Sequence, residues 1–125
     1  MAITHTQLFS VPVSDQDRAL RFYIDVLGFE LVSDAVIGPD MRWLLISLPG
    51  AQTGVTLVTW FPSMPAGSLK GWVLETDDLD RDVAALGEKG IAIEGGIQDA
   101  PWGRFVTFDD PDGNGIVLQE SVPRG

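Results

Sequence analysis

The chain has no cysteine and a single histidine, His5, among its 125 residues. Without cysteine there can be no disulfide, no thiolate nucleophile and no zinc site built on sulfur. One histidine also leaves no credible Ser-His-Asp arrangement. These shortages remove the commonest routes to covalent catalysis, and no catalytic residue is assigned.

Basic residues are few as well: eight Lys and Arg stand against eighteen Asp and Glu, for a formal net charge of −10. Nucleic-acid binding depends on Lys and Arg that displace counterions from phosphates, so we expect no nucleic-acid partner. The acidic balance is compatible with a cationic ligand, but the simpler interpretation is a solvated surface that favours solubility.

Long apolar runs are missing too. No stretch reaches the roughly 18 apolar residues that a membrane span needs, and the N-terminus does not show the basic-then-apolar order of a signal peptide. We therefore expect a cytoplasmic protein with no membrane partner. The hydrophobic content of 45% nevertheless indicates a folded chain, and its length suits one structural domain.

The sequence does contain an internal repeat. A shift of 62 residues aligns Ser14-Asp15 with Thr76-Asp77, and Arg42-Trp43 with Arg104-Phe105. Each copy shows an extended apolar run, a capped helix, a glycine stop and three strands, of which the last two are joined by a Pro-containing turn. This order predicts the α+β class, with two βαβββ modules related by pseudo-twofold duplication.

We place the first module at 1–61, a connector at 62–68 and the second module at 69–125, all within one structural domain. The predicted elements of the first copy are strands at 3–13, 29–34, 41–48 and 55–61, a helix from the Ser14 cap to Gly28, and a loop at 35–40. Those of the second are strands at 69–75 and 91–94, a helix from the Thr76 cap to Gly90, a loop at 95–100, and a hairpin turning at Pro111-Asp112-Gly113-Asn114-Gly115.

Two of these segments together resemble a known family. The run from Arg18 to Glu30 and the run Asp110-Pro111-Asp112-Gly113-Asn114 are similar to motifs of the vicinal oxygen chelate superfamily, which includes glyoxalases, bleomycin-resistance proteins and extradiol dioxygenases. The resemblance implies that the two mixed sheets form an open half-barrel, with the ligand inside the cup. It also implies that metal-dependent members hold a divalent ion with His, Glu or Gln from the first and last strands of each copy.

The positions that correspond to those metal ligands are Leu8, Val55, Gly71 and Val117. Their side chains offer no oxygen or imidazole donor to a divalent cation. We therefore expect no metal and no other cofactor. The alternative is a divalent metal bound in a shifted strand register, through neighbours such as His5, Gln7 or Glu120.

Four tryptophans, a high number for this length, suggest an aromatic lining for the cup, although each also suits a core or sheet-packing role. Trp43 lies mid-strand, and Trp102 lies at a loop-to-strand junction, within a Pro-Trp-Gly-Arg run that resembles bleomycin-resistance proteins. Arg42 and Arg104 would either anchor a ligand carboxylate or phosphate or pair with surface acids. Gln119 shares the strand parity of Val117 and would offer a neutral hydrogen-bonding group. The expected ligand-binding residues are thus Leu8, Arg42, Trp43, Val55, Gly71, Trp102, Arg104, Val117 and Gln119.

These features predict a metal-free superfamily member that binds a small, partly aromatic or apolar molecule, in the manner of an antibiotic-sequestering protein. We expect binding without catalysis. The alternative is a metal-dependent lyase, isomerase or dioxygenase of the same superfamily, and a third possibility is a structural or regulatory dimer whose own side chains fill the cup. A homodimer is expected because an open cup leaves apolar sheet edges and faces for a partner to cover.

Overall fold

A computed structural model describes residues 1–122 of the chain; residues 123–125, the end of the predicted second module, lie outside the described residues. The chain divides into two compact units. The first comprises Met1–Leu69 together with Pro111–Asn114, and the second comprises Lys70–Asp110 and the chain from Gly115 onward. The module boundaries at 61 and 69 stay a prediction.

The first unit contains one mixed four-stranded sheet and one helical segment. Its elements are β1 (Leu8–Pro12), α1 (Gln16–Arg21), a π-helical continuation of α1 (Phe22–Val26), β2 (Glu30–Gly38), β3 (Met41–Ser47) and β4 (Gly54–Val58). The strand order is β1-β4-β3-β2. Strand β1 runs parallel to β4, whereas the β2–β3 and β3–β4 pairs are antiparallel.

The second unit repeats this arrangement with shorter outer strands. Its elements are β5 (Trp72–Glu75), α2 (Leu79–Glu88), β6 (Gln98–Ala100), β7 (Gly103–Asp109) and β8 (Gly115–Ser121). The strand order β5-β8-β7-β6 and the parallel pairing of β5 with β8 match those of the first sheet. The predicted α+β class with two βαβββ modules is confirmed.

Both helices begin one or two residues later than predicted. The N-cap of α1 is Asp15, whose carboxylate accepts a hydrogen bond from the Arg18 backbone N–H at 3.0 Å. The N-cap of α2 is Asp78, whose carboxylate accepts from the Arg81 N–H at 3.1 Å. Asp15 lies one residue after the predicted Ser14 cap and Asp78 lies two residues after the predicted Thr76 cap, and each takes the capping position because its carboxylate reaches the third N–H of the helix.

The predicted strand at 91–94 and the predicted loop at 35–40 were both wrong because of turn geometry. The predicted strand at 91–94 is irregular, and the strand forms at Gln98–Ala100 instead, within the predicted loop. Gly95 and Gly96 both have positive φ, at 76° and 62°, and this turn starts the chain into β6. The predicted loop at 35–40 is mostly strand, since β2 continues to Gly38 and only Pro39 and Asp40 form the turn. Asp40 has a φ of 60° there, a conformation that Asp tolerates better than most residues.

The outer strands are shorter than predicted. Strand β1 spans Leu8–Pro12 and not 3–13, because its partner β4 offers only five residues, Gly54–Val58, for parallel pairing. The predicted 69–75 strand likewise begins at Trp72. His5 therefore lies before β1, in an exposed segment, where its Nδ1 is 2.8 Å from the Thr4 hydroxyl.

The constant shift of 62 residues implied a repeat without gaps, but the structure shows a gap of one residue. Residues 48–53 connect β3 to β4, whereas residues 110–114 connect β7 to β8, so the second connection is one residue shorter. Beyond this turn the equivalent residues differ by 61, and the counterpart of Val117 is Thr56, not Val55. A one-residue offset in a strand changes the sheet face on which a side chain lies.

Each sheet packs one face against the helix of its own unit. In the first unit the buried side chains include Ala19, Tyr23, Leu44, Ile46 and Leu57. The Tyr23 ring meets the rings of Phe22 and Phe29 edge to face, with centroids 5.3 and 5.6 Å apart. Within residues 1–122, no helix has both the length and the apolar character to cross a membrane.

Candidate functional site

The sheet of the second unit has two chemically different faces. On β7 and β8 every second residue is buried, namely Val106, Phe108, Ile116 and Leu118, and α2 contributes Leu79 and Leu86 to the same core. The alternate residues point the other way, and we call the face they form, with Val73, Phe105, Thr107, Val117 and Gln119, the distal face. Cross-strand pairing of Val117 with both Val73 and Thr107 aligns these side chains.

One end of the distal face opens into a cavity of about 370 Å³. This volume lies within the range of small-molecule sites. The ends of β7 and β8, with Gly71 just before β5, form part of the wall, and the irregular segment after α2 forms the rest. The lining residues are Gly71, Gly90, Ile91, Ala92, Glu94, Thr107, Phe108, Asp109, Gly115, Ile116 and Val117.

Two neighbouring glycines explain why there is space here. The pairing of Trp72 with Ile116 places Gly71 and Gly115 side by side at the start of β5 and β8. Gly71 has a φ of 74°, a conformation that favours glycine. At Gly115 a Cβ atom would lie 3.3 Å from Cδ of Lys70, so the wall is tight on one side of this position.

The lining combines apolar surface with negative charge. Ile91 and Val117 supply branched aliphatic side chains, Thr107 a hydroxyl, and Glu94 and Asp109 carboxylates. None of the described lining residues is basic. The cavity therefore suits an apolar body that carries a hydrogen-bond donor or a positive charge, and it disfavours an anion.

At the other end of the distal face, Gln119 takes part in a polar cluster. Its Nε2 donates to the Ser121 hydroxyl at 3.0 Å, and that hydroxyl donates to the Glu75 carboxylate at 2.7 Å. The Ser121 backbone N–H also donates to Glu75 at 2.9 Å. Gln119 thus shares the face of Val117, as its parity predicted, and its amide already has a partner.

Arg104 lies on the opposite face, toward α2. Its guanidinium contacts the carboxylates of Asp80 and Glu120, each at 3.1 Å. Glu120 also accepts the backbone N–H of Leu79 at 3.0 Å, in the first turn of α2. That backbone hydrogen bond, followed by the one from Arg104, lowers the pKa of Glu120, and the two acids raise the pKa of Arg104.

Arg42 repeats this arrangement in the first unit. Its guanidinium makes two hydrogen bonds of 2.9 Å to Asp34 and one of 2.7 Å to Asp17 of α1. The hydrogen bond from Arg42 lowers the pKa of Asp34. Both arginines therefore pair with carboxylates of their own unit. Of the two roles that the sequence suggested, this is pairing with surface acids and not anchoring of a ligand.

The remaining predicted residues of the first unit divide between its two sheet faces. Val55 is only 2% exposed and pairs with Ile46, so it belongs to the core beside α1. Leu8 pairs with Gly54, and Trp43 alternates with the buried Leu44, which places both on the face away from α1. Leu8 and Trp43 are half-buried there.

Trp102 occupies the turn between β6 and β7 and is 58% exposed. Its backbone carbonyl accepts the N–H of Val122 at 2.9 Å. This hydrogen bond fixes the turn while the indole stays accessible, in keeping with the rim position that its loop-to-strand junction suggested.

The donors at the expected metal positions do not fit a divalent ion. Because Thr56 replaces Val55 as the counterpart of Val117, the four positions are Leu8, Thr56, Gly71 and Val117. Their side chains offer one donor, the Thr56 hydroxyl, and it already lies 2.9 Å from the Ser10 hydroxyl. A divalent cation requires several carboxylate, carbonyl or imidazole ligands. Across residues 1–122, no three His, Cys, Asp or Glu side chains group closely enough to hold one.

Glu94, Thr107, Asp109 and Gly115 were not identified from the sequence as lining residues. A signal for three of them was present, because Thr107, Asp109 and Gly115 share the strand parity of Val117 across the hairpin. Glu94 gave no such signal, since its segment was predicted to be a strand. Gly71 and Val117 are the two predicted ligand residues that line the cavity together.

Comparison with known proteins adds to this description. Residues 2–118 match the family model described as Glyoxalase/Bleomycin resistance protein/Dioxygenase superfamily. The chain is similar to TnmS3, described as an antibiotic binding protein from Streptomyces sp. CB03234, with 52% identity, coverage of 98% of this chain and 99% of that chain, and a TM-score of 0.92.

Two further proteins are also similar to this chain. A glyoxalase/bleomycin resistance protein from Streptomyces sp. CB03234 is 50% identical, with 93% of this chain and 100% of that chain covered and a TM-score of 0.82. The Bacillus subtilis (strain 168) protein YetH is 32% identical over 114 residues, which cover 89% of this chain and 93% of YetH.

Proposed function

Because the chain belongs to the glyoxalase/bleomycin resistance protein/dioxygenase superfamily, we propose that it is a metal-free protein that binds a small, partly aromatic or apolar molecule. The observation that carries the proposal is the cavity on the distal face of the second unit. It offers apolar surface and a few polar groups, with no set of metal donors. Such a site is suited to holding a molecule by shape and hydrogen bonding.

The biological role that we propose is sequestration of an antibiotic or a similar metabolite. Support comes from the 52% identity to a protein described as antibiotic binding, over nearly the full length of both chains. Binding alone is sufficient for this role. The lining supplies carboxylates and one threonine hydroxyl, and cysteine is missing from the whole sequence.

The residues that we propose for ligand contact are those on the faces turned away from the helices, together with the exposed Trp102. In the second unit these are Gly71, Thr107 and Val117, with Gln119 further along the same face. In the first unit Leu8 and Trp43 occupy the corresponding face. Arg42, Arg104 and Val55 lie on the helix sides of their sheets, where salt bridges or burial already engage them.

We also propose that the protein acts as a homodimer in the cytoplasm. Strand β2 is an edge strand of the first sheet, and it exposes Val32, Val36 and Ile37 by 57%, 81% and 55%. An apolar edge strand of this kind is a place where sheets of two chains associate.

The binding function is tested by fluorescence quenching of the four tryptophans, with a panel of aromatic antibiotics and aromatic metabolites. We expect saturable quenching by at least one compound. The variant Thr107→Phe, which fills the cavity from an exposed position, should weaken that binding by tenfold or more. A tenfold loss corresponds to about 1.4 kcal/mol of binding free energy. Thr59→Phe makes the same change at an exposed threonine of the first unit, outside the cavity lining, and it serves as the matched control.

Metal analysis of protein purified without a His tag separates this function from the metal-dependent lyase, isomerase or dioxygenase. A stoichiometric divalent ion, with activity that depends on it, would favour the enzyme. No quenching by any compound would count against the binding function, and so would equal binding by Thr107→Phe and the wild type.

A further inference from the structure

The outer edge of β7 is only partly covered by a neighbouring strand. Strand β6 pairs with residues 103–105, and in the described part of the chain residues 106–109 have no strand on that side. In the first unit β2 continues along the corresponding edge of β3, as far as the pairing of Glu30 with Ser47. The second sheet therefore lacks part of an edge strand that the first sheet has.

The internal repeat identifies the residues that would supply the missing pairs. The offset of 62 residues that relates Ser47 to Asp109 also relates Glu30 to Ala92. In the register of the first sheet, Ala92 would thus lie opposite Asp109, and the chain that follows it would cover the rest of the open edge. We call residues 91–96 the gate segment.

The gate segment keeps the pattern of a strand although it is irregular in the structure. Ile91 and Ile93 are half-buried, whereas Ala92 and Glu94 are exposed, and this alternation is typical of a half-buried strand. Ile91, Ala92 and Glu94 also line the cavity. The space of about 370 Å³ therefore adjoins both the gate segment and the end of β7.

The open edge of β7 carries backbone groups that a strand would pair. The Val122 N–H donates to the Trp102 carbonyl, so even-numbered residues of β7 turn their backbone groups toward β8 and odd-numbered ones turn theirs outward. Thr107 and Asp109 thus direct N–H and carbonyl groups to the open edge, and both residues line the cavity. Among residues 1–122, no backbone hydrogen bond joins them to the gate segment.

Glycines explain why the gate segment is not paired here. Gly90 precedes it and Gly95 and Gly96 end it, at φ values of 76°, 76° and 62°. Gln98 holds the turn at Gly95 and Gly96, because its Nε2 donates to the Gly95 carbonyl at 2.7 Å. Glycine adopts extended and left-handed backbone about equally well, so these three residues can act as hinges.

We propose that the gate segment has two arrangements, the irregular one seen here, which leaves the cavity open, and a strand that pairs with residues 106–109 and fills the cavity. This proposal rests on the proposed binding function and adds the regulation of the same site. A ligand enters only the open arrangement, so its apparent affinity falls with the fraction of protein that is open. Closure pairs the edge of β7 when no ligand is bound.

The double variant Gly95→Ala/Gly96→Ala tests the direction of this coupling. Alanine strains the left-handed backbone of the open turn but not an extended strand, and at Gly95 its Cβ would also lie 2.9 Å from the Gln98 Nε2. We expect the variant to bind the neutral fluorescent probe 9-anthracenemethanol roughly threefold or more weakly than the wild type. Gly50→Ala places alanine at a φ of 74° in an exposed turn of the first unit, and it should bind the probe as the wild type does.

A disulfide can trap the closed arrangement, because the chain has no cysteine of its own. Opposite residues of antiparallel strands have Cα atoms about 4.5–5.5 Å apart, which is within the reach of a disulfide. Ala92→Cys/Asp109→Cys should therefore form an intramolecular disulfide on mild oxidation. The oxidised protein should bind 9-anthracenemethanol roughly tenfold or more weakly than the reduced form of the same protein, which is its control.

The outcomes separate closure from binding. If the disulfide does not form, or if the oxidised protein binds the probe as well as the reduced protein, the gate is overturned and the binding function stands. Equal binding by Gly95→Ala/Gly96→Ala and the wild type would also overturn the gate. If neither 9-anthracenemethanol nor any compound of the quenching panel binds the wild type, the binding function fails, and formation of the disulfide still reports whether the segment closes.

Discussion

Asn114 donates a hydrogen bond from its side-chain amide to the backbone carbonyl of Pro12 at 2.8 Å. The other end of the same amide accepts the Leu69 backbone N–H at 3.1 Å. All three residues belong to the first unit, although they are distant in sequence, and Asn114 is fully buried. One amide therefore pairs with a backbone N–H and with a backbone carbonyl, which also accepts the Gly67 N–H at 3.3 Å, in this loop region.

This relationship predicts a large effect of an isosteric substitution. Asn114→Asp replaces the donor with an oxygen that faces the Pro12 carbonyl, and it places a carboxylate in a buried site. We expect a loss of about 3 kcal/mol or more in the free energy of unfolding, measured by urea denaturation at pH 7. Gln98→Glu makes the same amide-to-acid change at an exposed residue and should cost less than about 0.5 kcal/mol. Equal stability of the two variants would contradict the buried role of Asn114.

Gly103, at the start of β7, predicts a second effect on stability. Its φ is 150°, and a Cβ atom there would lie only 2.3 Å from the Glu120 carbonyl oxygen on the neighbouring strand. The backbone cannot yield without breaking the β7–β8 pairing, so Gly103→Ala should destabilise the protein by about 3 kcal/mol or more.

The matched control is Gly87→Ala. Gly87 lies in α2, has no heavy atom within 4 Å of a Cβ placed there, and has a helical φ. Alanine is the better helix former, so this variant should gain up to about 1 kcal/mol. Thermal unfolding monitored by circular dichroism would check that Gly103→Ala lowers the stability and Gly87→Ala raises it. A stable Gly103→Ala protein would show that β7 and β8 can separate at that point.

Glu120 predicts a dependence of stability on pH. The Leu79 N–H and the Arg104 guanidinium lower its pKa below the ordinary value of 4.5 in the folded state. A carboxyl whose folded pKa is depressed stabilises the protein above the unfolded pKa, and this contribution is lost as pH falls through the folded pKa. Glu120→Gln should therefore be destabilising at pH 7 and much less so at pH 3.

Urea denaturation of both proteins across pH 3 to 7 would measure this difference. Glu88→Gln is the control, because Glu88 lies at the exposed end of α2, and its effect should stay nearly constant over the same range. A Glu120→Gln penalty that does not change with pH would mean that the lost interaction is packing and not charge.

The sequence predicted the fold well because its signals are local. Glycine at positive φ after each helix and the Pro-Asp-Gly turn of the last hairpin mark the ends of elements, so the α+β class and the two βαβββ modules followed from them. The resemblance to a known superfamily rested on the same segments. Helix starts were less certain, since Ser14 and Asp15 are both good caps and only the structure shows that Asp15 bonds to Arg18.

The site was less predictable because it depends on register and on irregular backbone. A turn shorter by one residue moves the equivalent of Val117 from Val55 to Thr56 and hence to the other sheet face. The segment at 91–94, which contributes Glu94 to the cavity, was predicted to be a strand but is irregular in the structure. Arg42 and Arg104 occupy equivalent positions as predicted, but only the structure shows their helix acids, Asp17 and Asp80.

The proposed homodimer provides the last prediction. Val36 on the edge strand β2 is 81% exposed, and a lysine there would leave a charge buried if β2 meets a second chain. Analytical ultracentrifugation should therefore find a dimer for the wild type and a monomer for Val36→Lys. Ile3→Lys makes the same change in charge at a residue that is 78% exposed and outside the sheet, so it should stay dimeric. A monomeric wild type would contradict the homodimer, and a dimeric Val36→Lys would exclude the β2 edge as its interface, because an ammonium group cannot be buried there without a partner.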